Sequence, residues 1–274
     1  MEEPRSATLD LYPMTHKSTL RIVSLAPSAS SILCSIGAKR FLVGVTKWCS
    51  AVAPVQGIPK LGDCWHMDGV EHLIALRPTL VIGSVPYKQE TVAKLLQPPF
   101  AFLAMNPRSL VDVYADIQLL GGITGRMKQA DAVVRRMQND LQALARRARS
   151  RSQKPRVYCE AWPNPRISSP LWVAELVQLV GGTMVLPSGQ KLRDEQVAEA
   201  RPDIIVLAWA ATGAKAKPAK AYGIAAWKDV PAIRHRCVFV VSDELLNTPA
   251  PPLVQGAREL AAILKKFDAG APSA

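Results

Sequence analysis

The chain carries six tryptophans. Four of them, Trp48, Trp65, Trp162 and Trp209, fall at or near the ends of segments that read as β-strands. In open α/β sheets, ligands bind in the crevice outside the carboxyl ends of the strands. Indoles placed there would offer flat apolar faces, each burying roughly 150–250 Å² against a large planar ligand. The competing role is core packing, which we assign to Trp172 and Trp227. His66, in Cys64-Trp65-His66, adds an imidazole, a side chain able to ligate a metal carried by a ligand. Asp243 follows the apolar run 238–241 and would either face the crevice mouth or serve as a turn acid.

The residues argue against several other chemistries. One Cys and one His two positions apart cannot complete a tetrahedral zinc site, and no second pair has ligand spacing, so no metal is expected from protein ligands alone. The five cysteines form no CxxC pair, and their odd number argues against a closed disulfide framework. No Ser/His/Asp set, nucleophile elbow, Walker loop or GxGxxG follows a predicted strand, so we expect neither an enzyme nor a catalytic cofactor. Gly121-Gly122 and Gly181-Gly182 close predicted helices rather than open them, and so do not cradle phosphate.

The elements that must position these residues announce themselves by repetition. Glu71-His-Leu-Ile-Ala-Leu-Arg77-Pro78-Thr-Leu-Val-Ile82 is echoed by Glu195-Gln-Val-Ala-Glu-Ala-Arg201-Pro202-Asp-Ile-Ile-Val206. Each reads as a short helix opened by an acid, closed at Arg-Pro and followed by a buried strand. Asp68-Gly-Val-Glu71 matches a capping box, which gives Glu71 a purely local explanation. Glu195 has no such explanation, because Leu192 cannot cap. Upstream, strand 21–25 leads through a Pro-Ser turn to a helix ending at Gly37; strand 156–160 leads through Trp-Pro-Asn-Pro to a helix ending at Gly181. The alternation of strands and helices predicts mainly parallel sheets.

Between the two copies, residues 125–152 contain no Pro and no internal Gly, and apolar residues recur every three or four positions from Ala130 to Ala148. About 26 residues at 1.5 Å each give a rigid strut of roughly 40 Å. The fold class is therefore α/β: two Rossmann-like lobes with mainly parallel sheets, joined by one long backbone α-helix. The expected boundaries are a loose tail at 1–19, lobes at 20–124 and 154–267, the linking helix at 125–153, and a frayed end at 268–274.

The net charge is +12, but it is scattered, and no recognition motif or aromatic-interleaved basic strand points to nucleic acid. No apolar run reaches about 18 residues, so no membrane insertion is expected. Met1-Glu-Glu-Pro-Arg lacks the basic and apolar regions of a secretory signal, so the expectation is a cytoplasmic chain unless a leader is missing.

Arg-Ile-Val-Ser-Leu-Ala-Pro-Ser (21–28), Val43-Gly-Val-Thr46, Glu71…Arg77-Pro78, Leu120-Gly-Gly122, Thr124-Gly-Arg126, Val180-Gly-Gly182 and Glu195…Arg201-Pro202 follow one another in an order that resembles the class III, helical-backbone substrate-binding proteins of ABC importers. The likeness covers roughly residues 20–265. Trp48 and Trp65 make it closest to the cobalamin-binding branch. The resemblance implies a monomer that holds a corrinoid between its lobes and delivers it to a permease. Members of that family are exported, periplasmic or lipid-anchored, whereas the N-terminus of this chain reads as cytoplasmic. It also implies that Glu71 and Glu195, one per lobe, are the permease-docking acids. Two positions depart from the family pattern: Ser30-Ser31 stands where Ser/Thr-Glu is frequent, and Asn247-Thr-Pro-Ala-Pro-Pro252 stands where an arginine is usual. The second disfavours a siderophore, whose carboxylates arginines would clamp. Haem or an iron chelate is the alternative ligand. A cytoplasmic corrinoid sensor or handling protein without a permease partner is the alternative role.

Overall fold

The structure is a computed structural model and describes residues 20–270 apart from 66, 68, 69, 98, 99, 150, 152, 213 and 214. The N-terminal lobe begins with β1 (Ile22–Ser24), α1 (Pro27–Ser35) and β2 (Leu42–Thr46). It continues through β3 (Lys60–Leu61), α2 (Glu71–Ala75), β4 (Leu80–Ser84), α3 (Gln89–Leu95), β5 (Ala101–Met105) and α4 (Leu110–Ile123). The strands pair in parallel in the order β3-β2-β1-β4-β5. Both faces of this sheet are covered, so its central strand, Ile22-Val23-Ser24, is buried at every position rather than at alternate ones. Ile22 joins the main core on one face, while Val23 and Leu25 join a second cluster with Cys64, Leu73, Val81 and Leu95 on the other.

The linking helix is α5 (Met127–Ala148), shorter at both ends than the expected 125–153. Its 22 residues span about 33 Å. The early boundary shifts because Gly125 adopts a left-handed backbone (φ +66°) and the Thr124 hydroxyl donates to the Leu120 carbonyl, ending α4 instead of letting it continue. α4 and α5 then lie so close that a Cβ on Gly121 would stand 2.5 Å from that of Ala130.

The second lobe comprises β6 (Arg156–Pro163), β7 (Arg166–Ser168), α6 (Leu171–Leu179), β8 (Thr183–Met184), α7 (Asp194–Glu199) and β9 (Ile204–Leu207). It ends with α8 (Pro218–Tyr222), α9 (Pro231–Arg234), β10 (Val238–Val240), α10 (Asp243–Leu246) and α11 (Leu253–Asp268). Its order is β10-β9-β6-β7, with β8 also on β6. Among the described strands of this lobe the pairings are parallel except β6–β7, a hairpin formed where the sequence read only as a Trp-Pro-Asn-Pro turn. The lobes are fastened across the strut: the Leu110 N–H donates to the Glu175 carboxylate at 2.7 Å, and Arg258 of α11 pairs with Asp140 of α5 at 2.9 Å.

The sequence repeat survives at the level of single hydrogen bonds. Arg77 and Arg201 both take left-handed backbones, with φ of +48° and +43°, where their helices turn into the following strand. In each lobe, the arginine that opens the first strand reaches those helix ends. Arg21 donates to the carbonyls of Leu76 (2.7 Å) and Arg77 (3.1 Å), and Arg156 to that of Ala200 (2.8 Å). The Arg21 N–H donates to the Thr79 hydroxyl at 3.0 Å, and the Arg156 N–H to the Asp203 carboxylate at 2.8 Å. Cations at helix C-termini satisfy carbonyls that lack intrahelical partners.

Candidate functional site

The N-terminal lobe presents two of the four tryptophans as a pair. Trp48 lies on a 3-10 turn (Lys47–Ala51) directly after β2, and Trp65 lies in the loop after β3. A residue not singled out from the sequence joins them: Asp63 accepts from the Trp48 indole N–H at 3.1 Å and from the Trp65 backbone N–H at 2.9 Å. The Lys47 ammonium stands 4.6 Å from the centre of the Trp48 ring. Trp48 and Trp65 remain 39% and 48% exposed. Trp162, near the carboxyl end of β6, is 39% exposed, and its indole N–H donates to the Asn164 carbonyl at 2.8 Å.

Trp209 is placed differently from expectation. It is only 5% exposed, its N–H donates to Glu160 at 2.8 Å, and Lys220 sits 5.6 Å from its ring centre. Its position is one of packing against a buried carboxylate rather than of lining an open surface. Trp172 and Trp227 are buried as read, donating to the carbonyls of Leu246 and Asp194. Asp243 opens α10, half-buried, and accepts from the Ala211 N–H at 3.0 Å, holding the loop that follows β9. His66 lies outside the described residues. The neighbouring Cys64 is buried, which pushes its thiol up to about 12 and keeps it neutral. No group of three or more His, Cys, Asp and Glu side chains capable of holding a metal ion occurs among the described residues.

The two repeat acids are both exposed and both in the first turn of their helices. Glu71 is the first helical residue after Val70, so it does not occupy the third position of the expected capping box; Asp68 lies outside the described residues. Glu195 is the second residue of α7, 3.9 Å from the exposed Arg193. The start of α7 does have a local reason: the Arg193 N–H donates to the Gln196 side chain at 2.9 Å.

Behind Trp162 lies a polar cluster with no counterpart in the sequence reading. Glu160 of β6 is fully buried and accepts from the Tyr158 hydroxyl (2.8 Å), the Trp209 indole and the Arg166 guanidinium. Burial pushes the Glu160 carboxyl upward, and Arg166 offsets part of that rise. Arg166, on β7, also pairs with Asp194 at 2.9 Å and stacks 4.3 Å from the centre of the Trp227 ring. The only local signal was a lone acid in the apolar run Val157-Tyr-Cys-Glu160; its partners lie on other elements.

Concavities among the described residues open elsewhere. One, of about 660 Å³, is lined by Arg147, Arg151, Lys154, Asp203 and Asp268 beside the amino ends of β6 and β9. Another, of about 200 Å³, lies between β5 and α4. Neither touches a tryptophan.

Residues 22–245 match the profile of a family described as periplasmic binding protein. An uncharacterized ABC transporter substrate-binding lipoprotein, YvrC, of Bacillus subtilis is 28% identical over 89% of this chain and 80% of its own length. A cobalamin-binding protein of Halobacterium salinarum is 24% identical over 86% of this chain, which spans 66% of that protein. Among solved structures, the periplasmic heme-binding protein RhuT from Roseiflexus, in apo form, superposes with a TM-score of 0.75 at 22% identity, covering 92% of this chain and 99% of that one.

Proposed function

The chain belongs to the periplasmic binding protein family, and from that premise we propose that it is the solute receptor of an ABC importer and that its ligand is a corrinoid of the cobalamin type. The observation that carries the ligand class is the state of the three exposed indoles. Each N–H of Trp48 and Trp162 is engaged within its own lobe, and Trp65 is fixed through its backbone. At Trp48 and Trp162 what remains for a ligand is ring face rather than an indole donor, which suits a large, flat, largely apolar macrocycle. Glu71 and Glu195, exposed on corresponding helices of the two lobes, are the proposed contacts to a permease. The fixed strut and the bond from Leu110 to Glu175 support a small closure on binding.

Titration calorimetry with cyanocobalamin, its ring-only precursor and haem decides the ligand. Heat with both corrinoids and none with haem is expected; heat with haem alone would replace this reading with the second one. That second reading, a haem or iron-chelate receptor, draws on the fold shared with RhuT and on the same indole faces. The family setting is periplasmic or lipid-anchored, and no helix among the described residues is long and apolar enough to cross a membrane. Glu71→Lys with Glu195→Lys should abolish uptake in cells while leaving binding intact. Unchanged uptake would favour a cytoplasmic handling protein instead.

A further inference from the structure

The Glu160 cluster touches both proposed functional surfaces of the second lobe. At one end is the β6–β7 hairpin, in which Trp162 pairs with Ile167 and Pro163 with Arg166. At the other end is the first residue of α7, Asp194, whose side chain is held by Arg166 and whose carbonyl is held by the Trp227 indole at 3.0 Å. Glu195 is the next residue. Arg166 cannot tilt away freely, because its guanidinium is flanked by the buried Glu160 carboxylate and the fully buried Trp227 ring. A planar guanidinium bridging two carboxylates on different elements transmits displacement in a way a single flexible ammonium does not. The described residues of the N-terminal lobe are arranged otherwise: α2 starts after Val70 with no side-chain cap among them, and the indole pair is tied to Asp63.

We propose that Arg166 is a positioning residue that couples the Trp162 hairpin to α7, so that ligand occupancy of the cleft is passed to the docking acid of the second lobe and not to that of the first. This rests on reading Trp162 as a cleft residue and Glu195 as a docking residue. The first test needs no ligand and uses the full chain. Asp194→Asn removes the exposed end of the bridge without uncovering a buried charge. It should move the Trp162 indole N–H resonance and speed hydrogen exchange of amides 161–168 by about fivefold or more, with amides 47–65 unchanged. Exchange within about twofold of the parent at 161–168 would overturn the proposal. Arg166→Lys, which keeps the charge but loses the bridge, should reproduce the Asp194→Asn effect. The second arm adds saturating cyanocobalamin. Amides 194–199 should change protection in the parent and not in the double variant Glu160→Gln/Arg166→Met; an equal response in both would also overturn it. If cyanocobalamin leaves the Trp162 resonance of the parent unmoved, the corrinoid reading falls, and the ligand-free arm still decides the coupling.

Discussion

The two lobes share a scaffold and differ in where each keeps its buried charge. Strands β2-β1-β4-β5 of the first correspond to β8-β6-β9-β10 of the second, down to the arginine that opens β1 or β6 and the left-handed Arg-Pro corner. On that alignment Leu25 stands where the second lobe has Glu160. The second lobe thus holds a carboxylate inside its sheet with three donors around it. The first lobe also has a desolvated acid, but on α4: Asp116 faces the concavity beside β5, and its Oδ2 is buried without a hydrogen-bond partner. One lobe satisfies its buried acid and the other leaves it exposed to repulsion from Asp112. The lesson is that a duplicated frame fixes strand order and corner geometry, while polar interiors diverge freely between the copies.

The strongest way to break this comparison is Arg166→Met. It leaves Glu160 buried without its cation, and removing one partner of a buried pair costs about 3–5 kcal/mol. Urea denaturation should show that loss, and Glu160→Gln/Arg166→Met should recover most of it, because paired removal leaves no orphan charge. Asp63→Ala, the corresponding cut behind the indoles of the first lobe, should cost no more than about 1 kcal/mol, since its partners are exposed. Equal losses in the two lobes would refute the contrast.

Asp116 supplies a change of opposite sign. Burial, aided by Asp112, raises its carboxyl to about 6 from 3.8. A folded-state value above the unfolded one means that the native state binds more protons between the two. The contribution of Asp116 to stability is therefore fully present below about pH 4 and is lost as pH rises through about 6. Asp116→Asn should flatten that decline and stabilise the protein at pH 7 by about 1–2 kcal/mol, allowing for solvent at the rim. A destabilised Asp116→Asn protein would mean that the carboxylate has a partner after all.

Much of the frame was legible in the sequence because it rests on local rules. Pro after Arg77 and Arg201 stops each helix, Gly37 and Gly181 close the helices after the first strands, and apolar spacing from Ala130 onward marks the strut. The rest depends on contacts between distant residues. Glu160 and Trp209 are 49 positions apart, so nothing near either residue foretells their bond or the burial of that indole. The strand β7 is three residues long, too short for alternation to show, and follows a dipeptide repeat of prolines that reads as a turn. Asp63 sits in a loop where an acid has many ordinary uses.

The capping arginines test the likeness itself. Arg21 makes bonds to two carbonyls and Arg156 to one. Arg21→Ala should therefore cost about 1 kcal/mol and Arg156→Ala somewhat less, both modest because the side chains are solvent-exposed.

The smallest effect is the most diagnostic of shared geometry. A left-handed conformation costs a non-glycine residue about 1–2 kcal/mol, and glycine removes that cost. Glycine also loses more chain entropy on folding, roughly 0.5–1 kcal/mol, which offsets most of the gain. Arg77→Gly and Arg201→Gly should therefore each change stability by less than about 1 kcal/mol, in the same direction, with a difference between them below about 0.5 kcal/mol. Valine at either position should be clearly worse than glycine, because a β-branched side chain fits positive φ poorly. If denaturation shows one corner tolerating glycine and the other losing several kcal/mol, the two corners carry different loads. The match in φ would then be a likeness of shape without a likeness of energy.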